Sequence, residues 1–152
     1  MRRKQKKDRK MKIKDIMNTD PITVSENSTV KYAAELMTKN DIGAVPVTDS
    51  KSGRLKGILT DRDIILRCIS KDLNTNTITA GDIMTTKTVT VCPENSVTES
   101  ARIMAKNQIR RLPVCENGKV VGMVSLGDIS RSKLMFAETA SAFCDICNGE
   151  DE

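Results

Sequence analysis

The chain has 152 residues, with two Phe, one Tyr, no Trp and no His. The absence of His removes the commonest general base and the commonest zinc ligand, and the scarcity of aromatic residues leaves little to stack on the bases of single-stranded nucleic acid. The formal net charge of +5 is concentrated at the N-terminus, and the rest of the chain is close to neutral.

The segment at residues 1–10 is strongly basic and has no apolar face. We expect a disordered tail at 1–11, because such a composition gives the chain nothing to bury. This tail could make weak contact with the phosphates of nucleic acid or with anionic lipid, but a solvated tail without a partner is the simpler interpretation.

The apolar runs of the sequence are too short for a membrane span, and the basic start is not followed by the apolar core of a signal peptide. We therefore expect a cytoplasmic location. In that reducing compartment the five Cys are more plausibly free thiols than disulfides.

The first half of the chain predicts a β-α-β-β-α unit. Its first helix is indicated by Val30, Ala34 and Met37, which recur at helical spacing. In chain order we predict a strand at 21–24, a helix from about 29 that ends at Asn40-Asp41, strands at 44–47 and 55–59, and a helix capped by Thr60 that runs to about residue 71.

The second half of the chain repeats the first. Asp15-Ile16-Met17 recurs as Asp82-Ile83-Met84. After a predicted hairpin, which is two residues shorter in the second copy and has Asn117-Gly118 at its turn, the stretch Gly57-Ile-Leu-Thr-Asp-Arg-Asp63 recurs as Gly122-Met-Val-Ser-Leu-Gly-Asp128.

This duplication predicts an α+β fold in which two tandem β-α-β-β-α motifs pack through their sheets with pseudo-twofold symmetry, because units this small need each other to close a core. We place the first motif at 12–71, a polar linker at 72–79, the second motif at 80–133, and a C-terminal helix and acidic tail at 134–152.

Thr60 with Asp63, and Ser125 with Asp128, stand where a strand hands over to a helix. Their spacing is typical of a reciprocal helix cap. The same position also favours an anionic ligand, because free backbone N–H groups and the positive end of the helix dipole lie there. Both roles can hold at once.

With these motifs in view, the sequence resembles a tandem pair of CBS domains, the cystathionine-β-synthase-type or Bateman module, over about residues 12–133. The resemblance rests on Asp15-Ile16-Met17, Pro21-Ile-Thr-Val24, Ile42-Gly-Ala-Val-Pro-Val47, Gly57-Ile-Leu-Thr-Asp-Arg-Asp-Ile64 and their second-copy equivalents. It implies a disc with two clefts, each able to hold an adenosyl compound such as AMP, ADP, ATP, S-adenosylmethionine or NAD.

The resemblance also implies which residues bind. In the family, a Ser or Thr followed three residues later by Asp contacts the ribose and phosphate, and a carboxylate that accepts from two ribose hydroxyls forms charge-assisted bonds. The residues carried over to the first cleft are Thr23, Val24, Gly43, Ala44, Val45, Pro46, Thr60 and Asp63. Those carried over to the second are Thr90, Val91, Arg110, Arg111, Leu112, Pro113, Ser125 and Asp128.

Three arginines distinguish the two copies. Arg62 would bring a phosphate-binding cation to the first cleft, and Arg110 with Arg111 would bring cations to the second, although exposed charges without a ligand are an equally good interpretation. In an extended segment Arg110 and Arg111 point to opposite faces, so at most one should face the cleft. We expect two unequal sites, of which one could be empty.

The last segment, from residue 129 to about 146, predicts one helix that continues past the second motif and has a broad apolar side. In proteins of the family such outer helices pack across a partner, so the resemblance implies a homodimer.

Cys144 and Cys147 supply only half of a zinc site, and no His or second Cys pair lies nearby in the sequence. We predict that they are small apolar residues of the last helix, and a metal shared across a dimer stays open as the alternative. The other three cysteines, Cys68, Cys92 and Cys115, are predicted to be partly buried.

The sequence favours a regulatory module over an enzyme, since it offers no His, no P-loop and no nucleophile beside a base. Such a module would bind an adenosyl ligand between the motifs and signal by a conformational change to its dimer or to a protein partner. We expect no required cofactor and no metal. The alternative is a nucleic-acid-associated protein tethered by residues 1–10 and regulated by the CBS pair.

Overall fold

The computed structural model describes residues 10–132 and 136–148. The predicted basic tail and the acidic C-terminal tail fall largely outside the described residues.

The first unit contains three strands and two helices. In chain order these are β1 (Val24–Ser25), α1 (Val30–Asn40), β2 (Ala44–Thr48), β3 (Leu55–Thr60) and α2 (Asp61–Arg67), followed by a 3-10 turn (Ile69–Lys71). β1 lies parallel to β2, and β2 lies antiparallel to β3. The strand predicted at 21–24 is thus only two residues long and starts later, and the second helix ends at Arg67 instead of running to 71.

The second unit repeats this order. Its elements are α3 (Ala80–Ile83), α4 (Val97–Asn107), β4 (Arg111–Glu116), β5 (Lys119–Ser125), α5 (Leu126–Arg131) and α6 (Phe136–Asn148). The counterpart of β1 is reduced to a parallel bridge between Val91 and Val114. The predicted α+β fold of two β-α-β-β-α motifs is confirmed.

Local signals set the ends of the longer helices. The Thr29 hydroxyl accepts from the N–H of Tyr32 at 3.1 Å at the start of α1, and Ser96 does the same for the N–H of Glu99 at the start of α4. Both helices end at a residue in the left-handed conformation, Asp41 and Gln108. The short hairpin of the second unit turns at Asn117 and Gly118, which both have positive φ, as a type I′ turn requires.

Each unit completes the hydrophobic core of the other. Ile13, from the 3-10 turn before the first unit (Ile13–Asp15), is fully buried in the core of the second unit. Ala80 and Ile83 of α3 are buried in the core of the first unit. The segment that precedes each motif in the chain therefore belongs, by packing, to the opposite motif.

Backbone hydrogen bonds follow the same exchange. The N–H groups of Ile58 and Thr85 each donate to the carbonyl of the other, at 3.0 and 2.9 Å, and Asn18 with Met123 form the equivalent pair at 2.8 and 3.0 Å. These two pairs are related by the sequence repeat, so they display the pseudo-twofold symmetry directly.

The prediction of one continuous C-terminal helix is wrong. α5 ends at Arg131, because Ser132 has an extended backbone (φ −75°, ψ 109°), and α6 is a separate helix. α6 packs back against α4 and α5, and its Ala142 and Ile146 are buried in the second core. None of the described helices is long and apolar enough to cross a membrane.

Candidate functional site

A cleft of about 520 Å³ lies between the two units. The first unit contributes Gly43, Ala44, Ile58, Thr60, Asp61, Arg62 and Asp63, and the second contributes Thr85, Lys87, Thr88, Val89, Asn107, Gln108, Ile109, Arg110, Arg111 and Pro113. The cleft falls in the volume range of small-molecule sites in proteins. Because both units form its walls, a ligand in it would touch both.

The helix start at Thr60 forms one edge of the cleft. The N–H of Thr60 donates to Oδ2 of Asp63 at 3.0 Å, and the N–H of Asp63 donates to the Thr60 hydroxyl at 3.1 Å. This is the reciprocal cap that the spacing predicts, and it holds both side chains in place at the mouth of the cleft.

Arg67 supports Asp63 from the next turn of α2. Its Nη2 lies 3.4 Å from Oδ1 of Asp63, and its Nη1 donates to the carbonyl of Ile83 at 2.8 Å. The Asp63 side chain is 14% exposed, so it is constrained on its helix side yet reachable from the cleft. Each carboxylate oxygen keeps a lone pair for a further donor such as a sugar hydroxyl.

The floor of the cleft is apolar. Its apolar lining comes from Ala44, Ile58, Val89, Ile109 and Pro113, which belong to both units. Aliphatic walls of this kind suit a flat, weakly polar ring, whereas the polar groups are confined to the rim.

Four cationic side chains converge on the cleft: Arg62, Lys87, Arg110 and Arg111. Within the described part of the chain none of them takes part in a hydrogen bond or an ion pair. Only two acids, Asp61 and Asp63, line the same space, and Asp63 is already paired with Arg67. The cleft therefore presents an excess of positive charge that no protein group neutralises.

The repeat places no cation at the corresponding positions of the other half. Arg62 corresponds to Gly127, and Lys87 corresponds to Asp20, while Arg110 and Arg111 stand where the first copy has Gly43-Ala44. The cationic character thus belongs to one cleft and is not repeated by the pseudo-symmetry.

At the second predicted site, Ser125 and Asp128 form the same reciprocal cap. Ser125 N–H donates to Oδ2 of Asp128 at 2.8 Å, and Asp128 N–H donates to the Ser125 hydroxyl at 3.1 Å. Arg131 forms an ion pair with the other oxygen of Asp128. Asp128 lines a smaller depression of about 230 Å³, together with Ile16, Arg131 and Ser132.

The structure brings together eight of the residues carried over from the resemblance: Gly43, Ala44, Thr60, Arg62, Asp63, Arg110, Arg111 and Pro113 all line the first cleft. Arg110 and Arg111 thus lie beside Thr60 and Asp63, not in a separate cleft with Asp128, and both contribute to its wall. Whether they bind a ligand stays a prediction.

The other carried-over residues lie elsewhere. Val24, Val45, Pro46, Val91 and Leu112 are buried, and Thr23, Thr90, Ser125 and Asp128 are not among the residues that line the cleft. Sequence reasoning missed Thr85, Lys87, Thr88 and Val89. The signal for them was present in Asp82-Ile83-Met84, the repeated motif just upstream, but only the exchange of segments between the units shows which cleft they reach.

The cysteines differ in exposure. Cys68 is buried and Cys115 is half-buried, in line with the prediction, whereas Cys92 is exposed. Cys144 and Cys147 are also exposed, so they do not belong to the buried side of α6 that Ala142 and Ile146 form. Burial raises the pKa of the Cys115 thiol, and the neighbouring Cys92 adds to this effect. Within the described residues no group of three or more His, Cys, Asp or Glu could hold a metal ion.

The family model described as CBS domain matches this sequence twice, at residues 13–69 and 80–134. The chain is 39% identical over 134 residues to the CBS domain-containing protein YhcV of Bacillus subtilis, a match that covers 88% of this chain and 94% of that protein.

Two solved structures are similar to the fold. The crystal structure of Hypoxic Response Protein I with two coordinated zinc ions has a TM-score of 0.74 and 37% identity, and covers 80% of this chain and 98% of that one. The CBS domain pair of protein MJ0100, in complex with 5-methylthioadenosine and S-adenosyl-L-methionine, has a TM-score of 0.72 and 32% identity, and covers 84% of this chain and 98% of that one.

Proposed function

We propose that this chain, which belongs to the CBS domain family, is a sensor that binds a phosphorylated adenosyl ligand in the cleft between its two units. The observation that carries the proposal is the meeting, in that cleft, of four unpaired cations with an apolar floor and a fixed carboxylate.

Each part of the cleft suits one part of such a ligand. Asp63 and Thr60, held by their reciprocal cap, suit the ribose hydroxyls, because hydrogen bonds to a carboxylate are charge-assisted. The aliphatic floor, which includes Ile58 and Val89, suits the adenine ring. The cationic side chains suit phosphate groups, and arginine in particular forms paired hydrogen bonds with phosphate oxygens.

The MJ0100 pair, at 32% identity, was crystallised with two adenosyl compounds, and this supports the adenosyl part of the proposal. The phosphate part rests on the charge of this chain. S-adenosylmethionine carries a positive sulfonium, which the excess cations of this cleft would repel, whereas ATP, ADP and AMP would neutralise them.

Signalling follows from the shared walls. A ligand that touches Asp63 of the first unit and Arg111 of the second stabilises one relative placement of the two units. It can shift the protein only as far as its affinities for the two placements differ. The output would be read by a second copy or by another protein, and no residue of the cleft is proposed to act in catalysis.

Isothermal titration of the full chain tests the proposal with ATP, AMP, adenosine and S-adenosylmethionine in the same buffer. We expect ATP to bind more tightly than adenosine by at least about tenfold, equivalent to about 1.4 kcal/mol, and S-adenosylmethionine to bind least tightly. Equal affinities for ATP and adenosine would show that the cations contribute nothing. Tighter binding of S-adenosylmethionine than of ATP would reverse the assignment.

A further inference from the structure

The first unit exposes a large apolar surface on its helices. Tyr32 of α1, Ile65 and Leu66 of α2, and Ile69 of the following turn are each 50% or more exposed. We call this surface the outer face. Within the described part of the chain, the exposed large apolar side chains are these four and Leu73, and none lies in the second unit.

The second unit covers the equivalent surface with its own chain. α6 lies across α4 and α5, where Ala142 and Ile146 are 4% and 6% exposed. The Gln108 side-chain amide, at the end of α4, donates to the carbonyl of Asp145 in α6 at 3.0 Å. A third helix therefore completes this layer of the second unit.

The first unit has the corresponding groove between α1 and α2, with a volume of about 530 Å³. Ala34, Met37 and Ile64 line it, and their sequence equivalents are Ala101, Met104 and Ile129, which are buried in the core that includes Ala142 and Ile146. The groove thus has the composition of a surface that a helix covers in the other unit. Its described lining comes from α1, α2, the adjoining loop and Arg111, with no third helix.

The two units also differ at the positions that point outward. Where the first unit has Tyr32, Ile65 and Leu66, the second has Glu99, Ser130 and Arg131. The apolar side chains are therefore not required by the fold of the motif. A contiguous apolar patch of this kind marks an interaction surface.

We infer that the outer face of the first unit is where a second copy of this chain packs, so that the helices α1 and α2 of two copies cover each other. A twofold interface uses the same patch on both partners, so the single outer face of each chain is sufficient, and such dimers are the commonest oligomers. The patch spans two helices and a turn, which is wider than the groove that one added helix would fill.

The charges around the outer face are compatible with this partner. Along α1 the exposed Lys31, Glu35 and Lys39 alternate in sign, and Asp41 follows at the helix end. A copy of the same surface can therefore place opposite charges against each other, and no field of a single sign opposes association.

Sedimentation equilibrium of the full chain over the micromolar range tests the inference. We expect a dimer, and we expect the double variant Ile65→Glu, Leu66→Glu to weaken it by at least about a hundredfold, because both carboxylates would be buried without partners. The matched control is Ser130→Glu, at the position equivalent to Ile65, which should leave the dimer unchanged. Circular dichroism verifies that each variant is folded.

Should the double variant fail to fold, Tyr32→Glu on the other helix provides the same test with one exposed side chain. A dimer that persists in a folded Tyr32→Glu or double variant would place the interface elsewhere and overturn the inference. A wild-type chain that stays monomeric at every concentration would overturn it too, and would leave the outer face for a different kind of partner.

Discussion

Arg67 joins the acid of the cleft to the other half of the chain: its guanidinium lies 3.4 Å from Oδ1 of Asp63 and donates to the carbonyl of Ile83 at 2.8 Å. Ile83 belongs to α3, the segment that the second half contributes to the core of the first unit. Through this arginine, the position of Asp63 depends on the contact between the two halves. Asp63 is therefore both a helix cap and a sensor of how the units meet.

The first prediction separates these two roles of Asp63. Asp63→Asn keeps an oxygen that can accept from Thr60 N–H but loses the charge. We expect a loss of unfolding free energy of no more than about 1 kcal/mol. We expect the affinity for ATP to fall by at least about tenfold, because the hydrogen bonds to the ribose are no longer charge-assisted. Thermal unfolding and isothermal titration measure the two effects.

Asp128→Asn is the matched control, since Asp128 forms the same cap and also pairs with an arginine. It should cost similar stability and leave the affinity for ATP unchanged. If both variants weakened binding equally, the two caps would be equivalent and the assignment of the ligand to the first cleft would fail.

The second prediction concerns Arg111. Arg111→Ala should weaken ATP more than adenosine, because only ATP brings phosphates to this side chain. The affinity for ATP should also depend less steeply on salt concentration than in the wild type. Arg102→Ala is the control, because Arg102 is an exposed cation of α4 that does not line the cleft. A similar loss for ATP and adenosine would indicate a structural role for Arg111.

The third prediction concerns the close approach of the two units at Gly57. A Cβ at this position would lie 2.7 Å from the carbonyl oxygen of Thr85 and 2.6 Å from Sδ of Met84. The backbone of Thr85 is held by its pair of hydrogen bonds with Ile58 and cannot easily retreat. Gly57→Ala should therefore destabilise the chain by about 1–3 kcal/mol, measured by denaturant unfolding.

Gly127→Ala is the comparison for Gly57→Ala. Its Cβ would meet no listed neighbour nearer than 3.4 Å, and it lies in the helix α5, where alanine is favoured over glycine by up to about 1 kcal/mol. We expect it to be neutral or stabilising. Equal stability of the two variants would mean that the units are not in close contact at Gly57.

Features that depend on local sequence were predictable. The caps at Thr60 and Ser125 follow from side chains three residues apart, and the hairpin turn at Asn117-Gly118 follows from residues that tolerate positive φ. The duplication itself predicted the pseudo-twofold fold. In each case the determining groups are adjacent in the chain or repeated along it.

Features that depend on packing between the halves were not predictable. The sequence placed Arg110 and Arg111 with Asp128, because all three belong to one motif, whereas the folded chain brings these arginines beside Asp63. The continuous apolar pattern near residue 132 also hid the end of α5, since a second helix folded back on α4 needs the same apolar side as a single long one.

The fourth prediction concerns the attachment of the N-terminal segment to the second unit. Hydrogen bonds from Lys12 and Lys14 lower the pKa of Glu94 from 4.5 to about 2. A carboxylate whose folded pKa is depressed contributes stability that is complete above the unfolded pKa and is lost as the pH falls through the folded one. Between about pH 4.5 and pH 2 the wild type should therefore lose its stability advantage over Glu94→Gln.

The difference should shrink at high salt, because the three side chains are exposed. Glu116→Gln serves as the control, since within the described residues no hydrogen bond or ion pair involves the Glu116 side chain. Urea unfolding at several pH values measures both variants. Parallel pH profiles for the wild type and Glu94→Gln would show that the lysines do not stabilise Glu94 in solution.

The fifth prediction links the cleft to the outer face. Gly43, Asp61 and Arg111 line both the cleft and the groove between α1 and α2. Phosphates in the cleft should draw Arg111 away from the groove, and this removes an unpaired charge from the edge of the surface where a second copy packs. ATP should therefore strengthen the dimer. By linkage, the dimer should bind ATP more tightly than the monomer by the same factor, and couplings of this kind are typically about 5- to 150-fold.

The two halves of this linkage can be measured independently. Sedimentation with and without ATP gives the effect on dimerisation, and titration of ATP into the wild type and into the monomeric Ile65→Glu, Leu66→Glu variant gives the reciprocal effect. Both carboxylates of that variant lie outside the residues that hold the ligand in the proposed site, so its own binding residues are intact. Arg111→Ala should abolish both effects together, because it removes the side chain that the two surfaces share. Identical ATP affinities for dimer and monomer would mean that the cleft and the outer face act separately, and that the signal leaves the protein by another route.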